Sequence, residues 1–376
     1  MMGVAVREKN IHRRISYLPL VLASLIAVQS IWAQSTDWQP RPIQLGTSGG
    51  NIRDMSTLYC CGGTLGALVQ NKRGIQYILS NNHVLAKSNK GIIGQRISQP
   101  GLIDTGCSPI PDDVVANLSN FVPISFTSKN KVDAAIAKVR KDCLDPDSNL
   151  VNCVDPTGQI LGIGELSNST VIPTLNMRVK KYGRTTGLTS GTILAVDATI
   201  FVIYNKTCGI GQKVAKFVNQ IRIGDRGFSM SGDSGSIIVE DCSTYPRAVG
   251  LLFAGNNANT ETFANPINPV LSKLGVSIEG ISSYCTSGSE MAGQLQLPTS
   301  QRAFETTRGV KERHEKAISQ IEGVVGTGIG LSETVSGETV IEVYVKKPIE
   351  TMSLALPNAL EGVPVKIVET GEILAY

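Results

Sequence analysis

The chain has 376 residues, enough for two or three domains of ordinary size. Hydrophobic residues make up 41% and charged residues 18%, which excludes an intrinsically disordered chain. Most of the net charge of +4 sits near the amino terminus, aromatics are only 5%, and no basic cluster carries interleaved aromatics, so nucleic-acid binding is set aside.

In chain order, residues 1–33 place Arg7, Lys9, Arg13 and Arg14 before an apolar run from Ile15 to Ala33. A charged stretch, an apolar run and a closing small residue make a secretory signal. The run is also long enough to serve as an uncleaved membrane anchor. The polar QSTDWQPRP that follows favours cleavage after Ala33, so the protein is expected to be secreted or periplasmic. From residue 41 to 281, short apolar runs alternate with turns. TLGALVQ and IQYILS flank NKRG as a hairpin, and VDAAIAKV, NMRVKKYG, SGTILAVDATIFVIY, KFVNQIRI, SGSIIVE and RAVGLLFAG follow. With 38 Gly and 17 Pro, this spacing predicts an all-β barrel or sandwich.

Residues 282–301 lack apolar periodicity and read as a linker. Residues 302–376 differ again. Val310, Ala317, Ile318 and Ile321 fall at helical spacing, and GVVGTGIGL, TVIEVYVKK and VPVKIVETG read as strands, giving a small α+β domain. GTGIG is not followed by the strand–loop–helix order of a phosphate loop, so a hairpin is expected there. A regulatory role is expected for this domain, including an intramolecular contact with the domain that precedes it.

The eight cysteines form an even set, which in an exported chain suggests disulfides. Cys143 and Cys153 bracket the polar loop CLDPDSNLVNC and are the best candidate pair, with Cys208–Cys242 a weaker one. No CxxC pair is matched by a second ligand pair, so structural zinc is not expected.

The segment SMSGDSGSIIV (229–239) sets Asp233 and Ser234 between glycines and then enters an apolar, β-branched run. This is either a turn before a strand or a serine nucleophile at a tight bend. A serine nucleophile needs a base. Of the three histidines, His12 lies in the leader and His314 among charges on the last helix, which leaves His83 in YILSNNHVLA. A buried carboxylate must fix the imidazole tautomer, and Asp133, beside Val132, Ala134, Ala135 and Ile136, is the candidate.

In the order His83, Asp133, Ser234, the chain resembles the chymotrypsin-fold (trypsin-like) serine proteases. GDSGS (232–236) matches the nucleophile motif, NNHVLA the histidine turn and VDAAIA the aspartate strand. YILSNNHVLA, GRTTGLTSG (183–191) and VGLLFAGN (249–256) resemble bacterial exported members of uncharacterised substrate. The resemblance implies two six-stranded antiparallel β-barrels ahead of the α+β domain, a polypeptide substrate and no cofactor or metal. It also implies an oxyanion hole from the backbone N–H groups of Gly232 and Ser234, and a primary pocket bounded by Phe228, Ser229 and Gly255. The Ile-Val-Gly-Gly of animal zymogens, whose freed amino terminus completes the site, is absent. The reading that follows is a serine endopeptidase. The alternatives are a catalytically silent binding module on the same fold and an esterase using the same triad.

Overall fold

Alternating apolar and polar residues make strands the dominant regular structure of this chain, and a computed structural model describes residues 35–285 and 301–376. The expected leader or anchor lies outside the described residues, as does most of the expected linker. Among the described residues, no helix is long and apolar enough to cross a membrane.

The first sheet has 8 strands, in the order Ser277–Ile278, Ala67–Gln70, Gln76–Ser80, Ala135–Val139, Val114–Phe121, Arg96–Ser98, Thr47–Asn51 and Gly63–Leu65. Asn71 and Gly74 form the expected hairpin turn, with Gly74 at φ 70°. Pairing of Ser80 with Ala135 fixes the ends of two neighbouring strands side by side. A single apolar cluster, including Leu65, Leu79, Val84, Ile97 and Ile136, fills this half.

The second sheet has 12 strands, eleven of them on its main path. Six of them, Gly187–Thr207, Arg178–Gly183, Ile237–Glu240, Ala248–Gly255, Thr262–Pro266 and Ile210–Gly224, pair antiparallel in a cycle. The first sheet and this six-membered cycle fit the expected trypsin-like double barrel, and the sheets carry further strands beyond it. The surplus comes largely from the C-terminal segment, whose strands extend the second sheet: Val324–Leu331 pairs with Gly187–Thr207, Thr339–Val345 with Val324–Leu331, and Val363–Glu369 with Thr339–Val345. The helix Gln301–Ile318 covers these strands through Val310 and Ile318.

The strand Gly187–Thr207 is the spine of this half. Ile193 and Ala195 face inward, Asp197 adopts φ 50° at an irregularity in the pairing, and Ala198, Ile200, Val202 and Tyr204 face inward again. Such a bulge adds a residue and re-aims the strand without losing its alternation.

All eight cysteines are paired: Cys60–Cys107, Cys61–Cys208, Cys143–Cys153 and Cys242–Cys285. The loop pair Cys143–Cys153 is as expected. Cys208 and Cys242 do not bond to each other, because Cys208 lies at the tip of the hairpin formed by Gly187–Thr207 and Ile210–Gly224. There it reaches Cys61 of the first half.

One buried charge cluster ties the C-terminal strands to the cycle. Arg222 donates to both carboxylate oxygens of Glu342 at 3.0 Å and to Glu261 at 2.8 Å, with Arg222 and Glu342 almost fully buried. Removing one partner of such a cluster leaves an uncompensated charge in a poor solvent. Arg222→Met is therefore expected to lower unfolding stability by about 3–5 kcal/mol in urea melts with the disulfides intact. The triple change Arg222→Met, Glu261→Leu, Glu342→Leu should recover most of that loss.

Candidate active site

His83 sits on the short helical turn Asn82–Leu85, directly after the strand Gln76–Ser80. Asp133 precedes the strand Ala135–Val139, the hydrogen-bonded neighbour of Gln76–Ser80. Sheet pairing thus carries the two side chains together across fifty positions of sequence. The His83 Nδ1 atom lies 2.6 Å from Asp133 Oδ2, and the His83 backbone N–H donates to Oδ1 at 3.2 Å. Asp133 has no exposed surface. Its Oδ2 also accepts from the Tyr204 hydroxyl at 2.7 Å, while its backbone N–H donates to Asn265 Oδ1 and its carbonyl accepts from Asn81 Nδ2. Burial pushes the Tyr204 phenol well above its ordinary value, and the Asp133 charge adds to this. Tyr204 is therefore a permanent donor.

On its other side, His83 Nε2 lies 2.9 Å from the Tyr376 carbonyl oxygen. Both ring nitrogens face acceptors, a carboxylate and a carbonyl, so each is best served by carrying a proton. Burial lowers the His83 pKa, but the Asp133 charge and these hydrogen bonds outweigh it and the net shift is upward.

Ser234 is fully buried, and its hydroxyl donates to the Phe253 carbonyl at 3.2 Å. The loop that holds it is clamped from the first sheet. Thr64 N–H donates to the Ser234 carbonyl, and the Thr64 hydroxyl donates to the Gly232 carbonyl. Gly232 adopts φ 100°, and a Cβ there would collide with Thr185 and Arg184. Among the described residues, neither the Gly232 nor the Ser234 backbone N–H donates to a protein acceptor. Two free donors of this kind beside a serine hydroxyl can meet the negative charge that develops on an attacked carbonyl.

Asp233 points away from this cleft. Its carboxylate accepts from the backbone N–H groups of Thr185, Thr186 and Met230 and from the Thr186 hydroxyl, at 2.7–3.2 Å. The buried Lys181 ammonium stands 3.5 Å away. The cation opposite Asp233 is thus an internal side chain, not a freed amino terminus. The GRTTGLTSG stretch finds its physical role here, in the two threonines that solvate Asp233.

Of the expected pocket residues, Phe228 is buried in the same apolar cluster as Tyr376. The Ser229 hydroxyl pairs with that of Thr262 at 2.6 Å. A side chain at Gly255 would strike the Tyr376 ring. Beyond His83 the cleft continues as a cavity of about 250 Å³ lined in part by Asp54, Lys87, Lys206 and Ala375. Burial raises the Asp54 carboxyl to about 6. His314, expected on a solvated face, bonds Glu361 at 2.8 Å, away from the cleft residues.

Tyr204, Asn265, Lys181, the Thr185–Thr186 pair and Tyr376 escaped sequence reasoning. Two of them left a signal. Lys181 stands between Val179 and Gly183 on the inward register of its strand, and Tyr204 continues the inward series Ala198, Ile200, Val202. A polar group at an inward position calls for a partner. Lys181→Met strands the Asp233 charge, and about 3–5 kcal/mol of stability should be lost in denaturant melts. An unchanged midpoint would mean that the four hydrogen bonds suffice for Asp233 alone.

No curated protein matches the chain in sequence. Similar solved structures include Thermobifida fusca Protease A, with 17% identity over 63% of this chain and 98% of that one, at a TM-score of 0.40. Cellulomonas bogoriensis chymotrypsin shares 19% identity over 64% of this chain and 99% of that one, at a TM-score of 0.39. The Nocardiopsis protease NAPase shares 18% over 58% and 93%, at 0.38. The Nal1 C-terminal domain family matches residues 48–264, a span that holds His83, Asp133 and Ser234 and more than half of the chain, and the chain belongs to that family.

Proposed function

We propose that the protein is an exported serine endopeptidase. Ser234 Oγ attacks a peptide carbonyl, His83 takes its proton and returns it to the leaving amine, and water then resolves the acyl-enzyme. Asp133 orients the imidazole and stabilises its charged form. Gly232 and Ser234 supply the oxyanion donors. No cofactor enters this chemistry.

The observation that carries the reading is the 2.6 Å contact between His83 Nδ1 and a carboxylate with no exposed surface. Burying Asp133 is costly unless its charge has a dedicated task. The free Gly232 and Ser234 donors support the same reading. Four disulfides support an oxidising compartment, hence export. The buried Lys181 supports a site formed on folding, without a maturation cut that frees an amino terminus.

Labelling by an active-site fluorophosphonate, with the modified peptide identified, tests the proposal. The label should fall on Ser234 alone and be lost in Ser234→Ala. In His83→Ala the labelling rate should drop by about a thousandfold or more. Labelling elsewhere, or none even after the cleft occupant described below is loosened, would reject it.

The pH dependence has a defined sign. His83 acts as a base only when neutral, and its folded-state pKa lies above the ordinary 6.5. The labelling rate should therefore rise with a midpoint above 6.5. The stability contributed by protonated His83 should be fully present below that value and lost as the pH climbs through the folded pKa. A rate midpoint below 6.5 would contradict the geometry.

A further inference from the structure

The segment Ile373–Ala375 is a strand with partners on both sides. It runs parallel to Gly187–Thr207, with Val202 opposite Ile373 and Ile203 opposite Leu374. It runs antiparallel to Ala248–Gly255, with Ala254 opposite Ala375 and Gly255 opposite Leu374. The next residue, Tyr376, donates its backbone N–H to the Phe253 carbonyl at 3.4 Å, the oxygen that also receives the Ser234 hydroxyl. Its carbonyl oxygen meets His83 Nε2 at 2.9 Å. Its ring is buried with Phe228, Ile223, Val249 and Leu252, lies over Gly255, and donates its hydroxyl to the Asn256 carbonyl at 2.8 Å.

These contacts are those of an added strand: main-chain hydrogen bonds hold the backbone, and a pocket reads one side chain. The pocket suits a phenol. Its walls are apolar, Gly255 leaves the width of a ring, and the Asn256 carbonyl waits at the depth of a para hydroxyl. The nearby carboxylates, Glu261 and Asp233, are already matched by Arg222 and Lys181. Ala375 lines the same cavity as His83, and its side chain there is a single methyl.

Resting on the peptidase reading, we propose that Ile373-Leu374-Ala375-Tyr376 occupies the cleft as the acyl side of a polypeptide substrate. The enzyme then cuts after a large aromatic residue, tyrosine above all, preceded by a small one, and this segment competes with such substrates. In the cut, Ser234 Oγ bonds to the carbonyl carbon of the aromatic residue. The C–N bond breaks, and the amine departs with the proton His83 took from the serine. Water then cleaves the ester to a carboxylate and restores the hydroxyl. While Tyr376 sits in place its carbonyl requires a proton on Nε2, so His83 cannot serve as the base. A tethered competitor acts at an effective concentration on the order of mM, enough to mask a site toward weak substrates.

The test uses succinyl-Ile-Leu-Ala-X-p-nitroanilides with X as Tyr, Phe, Ala, Lys or Glu, on the full chain and on Tyr376→Gly. With X as Tyr or Phe, kcat/KM should exceed the other three by about tenfold or more. Tyr376→Gly should raise kcat/KM and shift the acid limb of its pH profile downward, since without the ring the segment leaves the cleft and its carbonyl no longer faces His83 Nε2. A best substrate with X as Ala, Lys or Glu would overturn the specificity, and equal rates in both proteins would overturn the competition. Should Tyr376→Gly fail to fold, the unmodified chain decides. The aldehyde acetyl-Ile-Leu-Ala-tyrosinal should block fluorophosphonate labelling about tenfold better than the alaninal analogue, and equal potency would reject the pocket assignment. Ser234 labelling without the aromatic preference would reject this inference alone. Absence of labelling in both proteins would reject the peptidase reading beneath it.

Discussion

A carboxylate sealed from water sets the terms for the rest of this molecule. Asp133 has no exposed surface, and an ionised group in that position survives only with charge-assisted hydrogen bonds around it. Its hydrogen-bond partners come from both halves. His83 belongs to the first sheet side, Tyr204 lies on the spine of the second, and Asn265 on the strand Thr262–Pro266 holds its backbone. The two sheets must therefore dock in one register for Asp133 to be satisfied. Docking in that register places the His83 ring against the cleft. The proposed catalytic geometry and the packing of the two halves are one constraint seen from two sides.

Asp233 repeats the principle with different parts. Here the carboxylate steers backbone, because its four donors pin the loop on which Gly232 and Ser234 sit. The Thr64 clamp from the first sheet then fixes the same loop from the opposite side. The position of the Ser234 backbone is thus fixed by two independent sets of hydrogen bonds.

How much of this was legible in the sequence follows from the range of the interactions involved. His83 was reachable because histidines are so few, and Asp133 because an acid among apolar residues demands a reason. Ser234 stood out through its flanking glycines, whose φ values only they tolerate well. The strands of the C-terminal segment were legible from their alternation. That they extend the second sheet was not, since strand partners at long separation are chosen by edge availability, and the spine offers an edge that local pattern does not reveal. The same holds for Cys61–Cys208, whose partners lie 147 positions apart and meet only after the hairpin has folded over. Tyr376 was invisible for a related reason: nothing in ETGEILAY marks it as a residue that fills a pocket built some 120 positions earlier.

The Cys61–Cys208 bond has a mechanical consequence. The hairpin built on the spine is long, and a free tip would sway like a lever over the cleft. Anchored to the opposite half, it becomes a fixed post, and the cleft wall loses its softest mode. The frame around the cleft is then stiffer, while the strand Ile373–Ala375 beside His83 is held by main-chain pairing and carries no disulfide. Access to the site is in that case a matter of peeling a single short strand, an all-or-none event, and not of gradual widening. Such a gate has a threshold: a weakly bound chain leaves it shut, while one that can fill both strand edges at once replaces the occupant outright.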